Sequence, residues 1–146
     1  MKKKLLFVFA MAILVSVAAF AQSSEKLTEI ISTENVTCGQ VAYLAATYSS
    51  AISEDDGDEK AFELYKEEGC FGPSVLASDA ATLAEVSNLL VKVTNTKCGL
   101  FYRLTGAQRY AFKELKAKGI IPQTADPNMK ISGRDAIGIL NKLISE

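Results

Sequence analysis

Residues 61–69, AFELYKEEG, and residues 111–119, AFKELKAKG, stand 50 positions apart and share an Ala-Phe start and a closing Gly. In each, apolar residues at helical spacing lead into a Gly suited to a left-handed C-terminal cap. Pro73 or Pro122 follows just beyond and discourages continuation. The same offset of 50 relates Thr82 to Ser132, Glu85 to Asp135 and Leu90 to Leu140, with no gap needed. A period of that length predicts helix–loop–helix units, stacked so that neighbours bury each other's apolar stripes.

The second helix of each unit is announced by its cap. Thr37-Cys38-Gly39-Gln40, Thr82-Leu83-Ala84-Glu85 and Ser132-Gly133-Arg134-Asp135 each place a hydroxyl at the N-cap and an acid or amide three residues on. The hydroxyl accepts from a free amide of the first turn, and the later side chain reaches back to the cap amide. Val36 with Val41, Ala81 with Val86, and Ile131 with Ala136 occupy the two staple positions. Three apolar stripes follow these caps: Val41, Leu44, Ala45, Tyr48 and Ile52; Leu83, Val86, Leu89, Leu90 and Val93; Ala136, Ile139, Leu140, Leu143 and Ile144. Thr37 precedes Thr82 by only 45, so the first unit is shorter, with an opening helix at Glu25–Ile31 that turns Leu27, Ile30 and Ile31 inward. Thr105-Gly106-Ala107-Gln108 reads as a further capping box. The units run over about 24–52, 58–95 and 105–146, an all-α bundle with at most a short extended segment near residues 98–104.

The chain of 146 residues suits one domain, and 49% apolar with 23% charged residues is globular composition. It has neither His nor Trp, which excludes the Ser-His-Asp triad, the Cys-His dyad and every His-based zinc site. Lys2, Lys3 and Lys4, an apolar run from Leu5 to Phe20, and Ala19-Phe20-Ala21 have the order of a cleaved signal peptide, residues 1–21. The expected product is exported, to the periplasm or cell surface, with no membrane span. Residues 22–146 carry 13 Lys and Arg against 17 Asp and Glu, a poor composition for nucleic acid. Cys38, Cys70 and Cys98 allow one disulfide between two of them in an oxidising compartment, in any of three pairings. Their spacing suits no metal site, and no cofactor is called for.

Units of about 50 residues, each a helix, a Gly-ended loop and a hydroxyl-x-x-acid-capped second helix, resemble the S-layer homology (SLH) domain. Arg109-Tyr110-Ala111-Phe112 through Gly119-Ile120-Ile121 is similar to the SLH opening helix and its hydrophobic exit. The resemblance implies a pseudo-threefold helical bundle in the bacterial cell envelope that binds wall polysaccharide in grooves between units. The Arg expected at the second position of the SLH box is Cys38, Leu83 or Gly133 here, and Arg134 follows one place later.

The stretch from Lys97 to Arg109 is the most distinctive. It does not have helical period between Lys97 and Thr105, is bracketed by Gly99 and Gly106, and reads as a loop or one short strand. Tyr102, Arg103, Arg109 and Tyr110 gather two cations and two aromatics, a set able to pair a carboxylate and stack on a sugar or a partner side chain. The alternative is structural, with Phe101 and Leu104 plugging the core. With Arg134, these four are the candidate binding residues. Cys38, in the first turn of its helix, stands where a helix dipole lowers a thiol pKa. No catalytic set is evident: Glu67 and Glu68 are adjacent on a helix and point about 100° apart. The expectation is therefore a non-enzymatic envelope protein that contacts peptidoglycan or a wall glycan, or alternatively a protein–protein subunit of an envelope assembly.

Overall fold

A computed structural model describes residues 24–53 and 55–146, and the signal peptide expected at residues 1–21 lies outside them. The described chain is all helical: α1 (24–32), α2 (Cys38–Tyr48), α3 (Asp58–Glu67), α4 (Leu83–Val93), α5 (Leu100–Thr105), α6 (Gln108–Ala117) and α7 (Gly133–Ile144). Among the described residues there is no strand, only two isolated bridges, Thr37 with Ala80 and Thr82 with Lys130. No described helix is long and apolar enough to cross a membrane.

The caps form as their residue types dictate. Thr37 and Thr82 each accept from the amide of Gln40 and Glu85, at 3.1 and 3.3 Å. Those side chains accept from the cap amides in return, at 3.1 and 2.8 Å, completing two reciprocal boxes. Ser132 accepts from the Asp135 amide and its hydroxyl donates to the Asp135 carboxylate at 2.8 Å, as Thr82 does to Glu85, but the Ser132 amide makes no return bond to the Asp135 side chain, so the third cap is half a box. All three staple pairs are buried.

A helix start leaves four amides without intrahelical partners, and the caps serve only some of them. The amide of Cys38 donates to the Asp79 carbonyl, that of Leu83 to Met129 and that of Gly133 to Thr33, at 2.8–2.9 Å. Each capped helix is thus tied to a segment distant in sequence, the last tie returning to the residue just after α1. The next amides, Gly39 and Ala84, donate to Ala77 and Pro127. Val36 donates to Ile131 and accepts from Ala81, so the chain segments leading into all three capped helices meet.

The capped helices α2, α4 and α7 pack against one another, α3 lies on α2, and α6 lies on α4. At the Gly133 start of α7, a Cβ would overlap the carbonyl of Ile30 in α1. The core runs through all of these, from Ile30 and Val36 through Leu89 and Leu90 to Leu140 and Leu143.

Residues 50 apart make like contacts. Gly69 and Gly119 have φ of +75° and +71° and close the same turn, with Cys70 donating to Tyr65 and Ile120 to Leu115. Lys66 and Lys116 each lie 5.2 Å over the Phe four residues earlier and donate to the carbonyls of Val75 and Ala125.

Three local expectations are corrected. Residues 100–105 are helical rather than extended: Gly99 begins the turn, Gly106 at φ +61° ends it, and Thr105 bonds back to the Phe101 carbonyl at 2.7 Å. A helix of barely more than one turn is too short for its period to show in sequence. The box expected at Thr105–Gln108 does not form, because Gly106 is taken as the C-cap of α5 and Ala107 starts α6 with no side-chain cap. Ile31, Tyr48 and Ile144, read as inward, are more than two-fifths exposed, because each sits in the last turn of its helix, at the edge of the core.

Thr82→Ala is expected to cost about 1 kcal/mol through loss of the cap. Gly133→Ala should cost about 1–3 kcal/mol, because the Ile30 backbone has to move aside. Gly138→Ala, with nothing within 4 Å of the added carbon, should instead stabilise by up to about 1 kcal/mol. Urea denaturation of the three variants tests this order.

Candidate binding sites

The five candidate binding residues are distributed over separate places. α5 carries Tyr102 and Arg103 and ends where α6 begins, which sets Arg109 and Tyr110 beside it. Tyr102 is half-buried and its hydroxyl donates to Oδ1 of the buried Asn88 on α4, at 3.1 Å. Burial also pushes the Tyr102 phenol above its ordinary pKa. Its tip is therefore engaged inward. The Tyr110 ring stacks on Phe101 at 5.6 Å between centroids and 19° between planes, with Lys113 above it at 5.9 Å.

Arg103 is exposed and lines a hollow of about 500 Å³ with Glu68, Cys70, Asn88, Lys92 and Cys98. Inside that hollow Lys92 is paired with Glu68 at 3.0 Å and donates to the Glu68 carbonyl. Arg109 is exposed and belongs to neither this hollow nor the groove on α7.

Arg134, on the first turn of α7, lines that separate groove of about 410 Å³. Its floor is aliphatic, from Leu83, Ile120, Ile121, Met129 and Ile139, and its polar rim is Thr124, Arg134, Asp135 and Lys142. Lys142 already donates to the Ile120 carbonyl at 3.0 Å, and the Asp135 carboxylate accepts from Ser132. Arg134 makes no ion pair among the described residues, so its charge is free for a ligand. The groove stays open beside Gly138. Fifty residues earlier that place holds Asn88, over which Tyr102 is seated. A Gly in mid-helix was the one sequence signal for this opening.

The second feature missed in sequence is the outer face of α5. Leu100, Phe101 and Leu104 are 64, 65 and 73% exposed, so they do not plug the core. The reason is Tyr102, which takes the single inward-facing position of this short helix.

All three cysteines are free thiols. Cys38 is buried, and burial together with Glu85 and Asp79 pushes its pKa up to about 12, with Lys130 opposing. This reverses the activation expected from the helix start, because desolvation of a thiolate outweighs the dipole. Burial raises Cys70 and Cys98 also, in Cys70 against the pull of Lys92, whose Nζ is 3.5 Å from the sulfur. Cys70 and Cys98 share the Arg103 hollow, while Cys38 lies elsewhere. Among the described residues, no group of His, Cys, Asp and Glu is placed to hold a metal ion.

Comparison of the chain with protein-family models, curated proteins and solved structures finds no match.

A thiol reagent added to the reduced native protein should label the half-buried Cys98 first, with Cys38 and Cys70 reacting only on unfolding. Peptide mapping of the labelled sites checks the order. Cys38 also makes stability depend on alkaline pH. The folded state keeps its proton between the ordinary thiol pKa of 9.0 and about 12, where the unfolded state loses it, so stability falls as pH rises through that window. Tyr102→Phe should cost about 1 kcal/mol, leaving the Asn88 carbonyl unpaired, and thermal unfolding measures it.

Proposed function

We propose that this chain is an exported, non-catalytic binding protein of the bacterial cell envelope. It is composed of three SLH-like helix–loop–helix units closed into a pseudo-threefold bundle, and it holds a wall glycan in the Arg134 groove. The closure is supported by the three long-range ties from Cys38, Leu83 and Gly133, each running from a capped helix to the segment of another unit. It is supported further by the packing of α3 on α2 and of α6 on α4, each opening helix lying on the capped helix of the unit before it. Export rests on the leader-like order of residues 1–21.

One observation carries the binding site: a groove of about 410 Å³ on whose rim Arg134, unlike Asp135 and Lys142, makes neither an ion pair nor a side-chain hydrogen bond among the described residues. A guanidinium presents a planar fork of donors, matched to the carboxylate of an acidic sugar or of a stem peptide. The aliphatic floor meets the apolar face of a ring, and Thr124 and Asp135 offer hydrogen bonds to hydroxyls. A second reading, a protein partner within an envelope assembly, is favoured by the same floor, which offers no aromatic ring for a sugar to stack on.

Co-sedimentation with purified bacterial sacculi tests the proposal. The wild-type protein is expected in the pellet. Arg134→Ala and Gly138→Leu, which fills the open groove, should each release most of it. Arg103→Ala/Arg109→Ala should still pellet. A folded wild-type protein that stays in the supernatant would overturn glycan binding and favour the protein partner.

A further inference from the structure

The outer face of α5 is a second surface, distinct from the groove. Leu100 and Leu104 are one turn apart and stand outward, and Phe101 flanks them toward Tyr110. These three are the most exposed of the large apolar side chains among the described residues. No residue of α5 is fully buried, and the helix packs chiefly on α6. It is a ridge rather than a cleft.

The charge around it is equally distinct. Residues 97–113 contain Lys97, Arg103, Arg109 and Lys113 and no Asp or Glu, while the rest of residues 22–146 has nine cations against 17 acids. None of the four makes an ion pair among the described residues. Acids close to the collar are engaged elsewhere: Glu114 lies against Gly99 at the base of α5, Glu68 pairs with Lys92, and Glu146, which shares a hollow with Lys97, pairs with Lys118. An apolar ridge thus rises inside a cationic collar on an otherwise acidic molecule.

We propose that α5 is a membrane-surface anchor that inserts Leu100, Phe101 and Leu104 between the headgroups of an anionic bilayer. Arg103, Arg109, Lys97 and Lys113 then lie at the level of the lipid phosphates. An amphipathic segment with Leu and Phe on one side and Lys and Arg at its flanks is the composition that rests in the interface plane. Anionic headgroups attract the collar and repel the acidic remainder, which orients the molecule with α5 toward the lipid. A protein partner would need a slot shaped to a six-residue ridge and rimmed with acids, whereas a bilayer supplies a deformable apolar layer under a plane of phosphates. The surface and the Arg134 groove use different residues, so either can fail without the other.

Flotation with vesicles of equal parts phosphatidylglycerol and phosphatidylcholine tests the anchor at low salt. The wild-type protein should partition at least about tenfold more strongly into these than into phosphatidylcholine alone. Phe101→Ser/Leu104→Ser and Arg103→Gln/Arg109→Gln/Lys113→Gln should each lose about tenfold, with circular dichroism confirming that both fold. The chain has no Trp, so Leu104→Trp is a single reporter, and its emission should shift to the blue on the anionic vesicles. Partitioning retained by the Ser double variant, or an unshifted Trp emission, would overturn insertion. No partitioning by the folded wild-type protein would overturn the lipid assignment and leave this face to an acidic protein partner.

Discussion

The free amides at the starts of α2, α4 and α7 govern how the chain is assembled. A helix cannot satisfy its own first-turn amides, and water is absent where these starts are buried. A cap hydroxyl from Thr37, Thr82 or Ser132 serves one amide in each helix, and the first-turn amides of Cys38, Leu83 and Gly133 find carbonyls at Asp79, Met129 and Thr33. Local capping and long-range assembly are therefore one requirement. The loops that supply these carbonyls must come to the helix starts, and they carry the flanking helices with them.

The close approach sets a size limit. Gly133 admits the Ile30 carbonyl where any side chain would collide, and Gly39 lies against Ala77 and Asp58. An Arg at this second box position would put a Cβ where Gly133 allows none, whereas Arg134, one place later, reaches solvent. The groove that Arg134 borders is open because Gly138 projects nothing into it. The corresponding place on α4 carries Asn88, which accepts from the Tyr102 hydroxyl. One added helix, α5, makes that difference. It seats its inner residue, Tyr102, on Asn88 and leaves three apolar residues outside.

The capped helices were legible because their signals are local. A hydroxyl followed three residues later by Gln, Glu or Asp, next to an apolar stripe, leaves few alternatives within one turn, and Gly69 and Gly119 stand at the positive φ that ends their helices. The loss of legibility begins where two local signals compete. Gly106 suits both the cap of α5 and the lead-in to α6, and the preceding helix took it. Hydrophobicity alone makes Phe101 and Leu104 candidates for the core, but a single turn offers one inward position and Tyr102, with a hydrogen-bond partner waiting on Asn88, occupies it. Cys38 illustrates the same limit. Its place in the first turn is a sequence fact, while its high pKa comes first from the loss of water and then from Glu85 and Asp79, none of which its neighbours in the chain reveal.

By itself the sequence determined the helical class, the starts of the three long helices, the Gly-ended turns after α3 and α6, and the offset of 50 that relates their residues. Each of these depends on interactions within a few residues, where composition and spacing suffice. Only the tertiary structure decided that the candidate cations divide between an open groove and the surroundings of a ridge, that Tyr102 turns inward, and that an apolar face stays in solvent. Those outcomes depend on which surface another segment of chain happens to cover. Coverage is a property of packing between distant residues, and no local pattern encodes it.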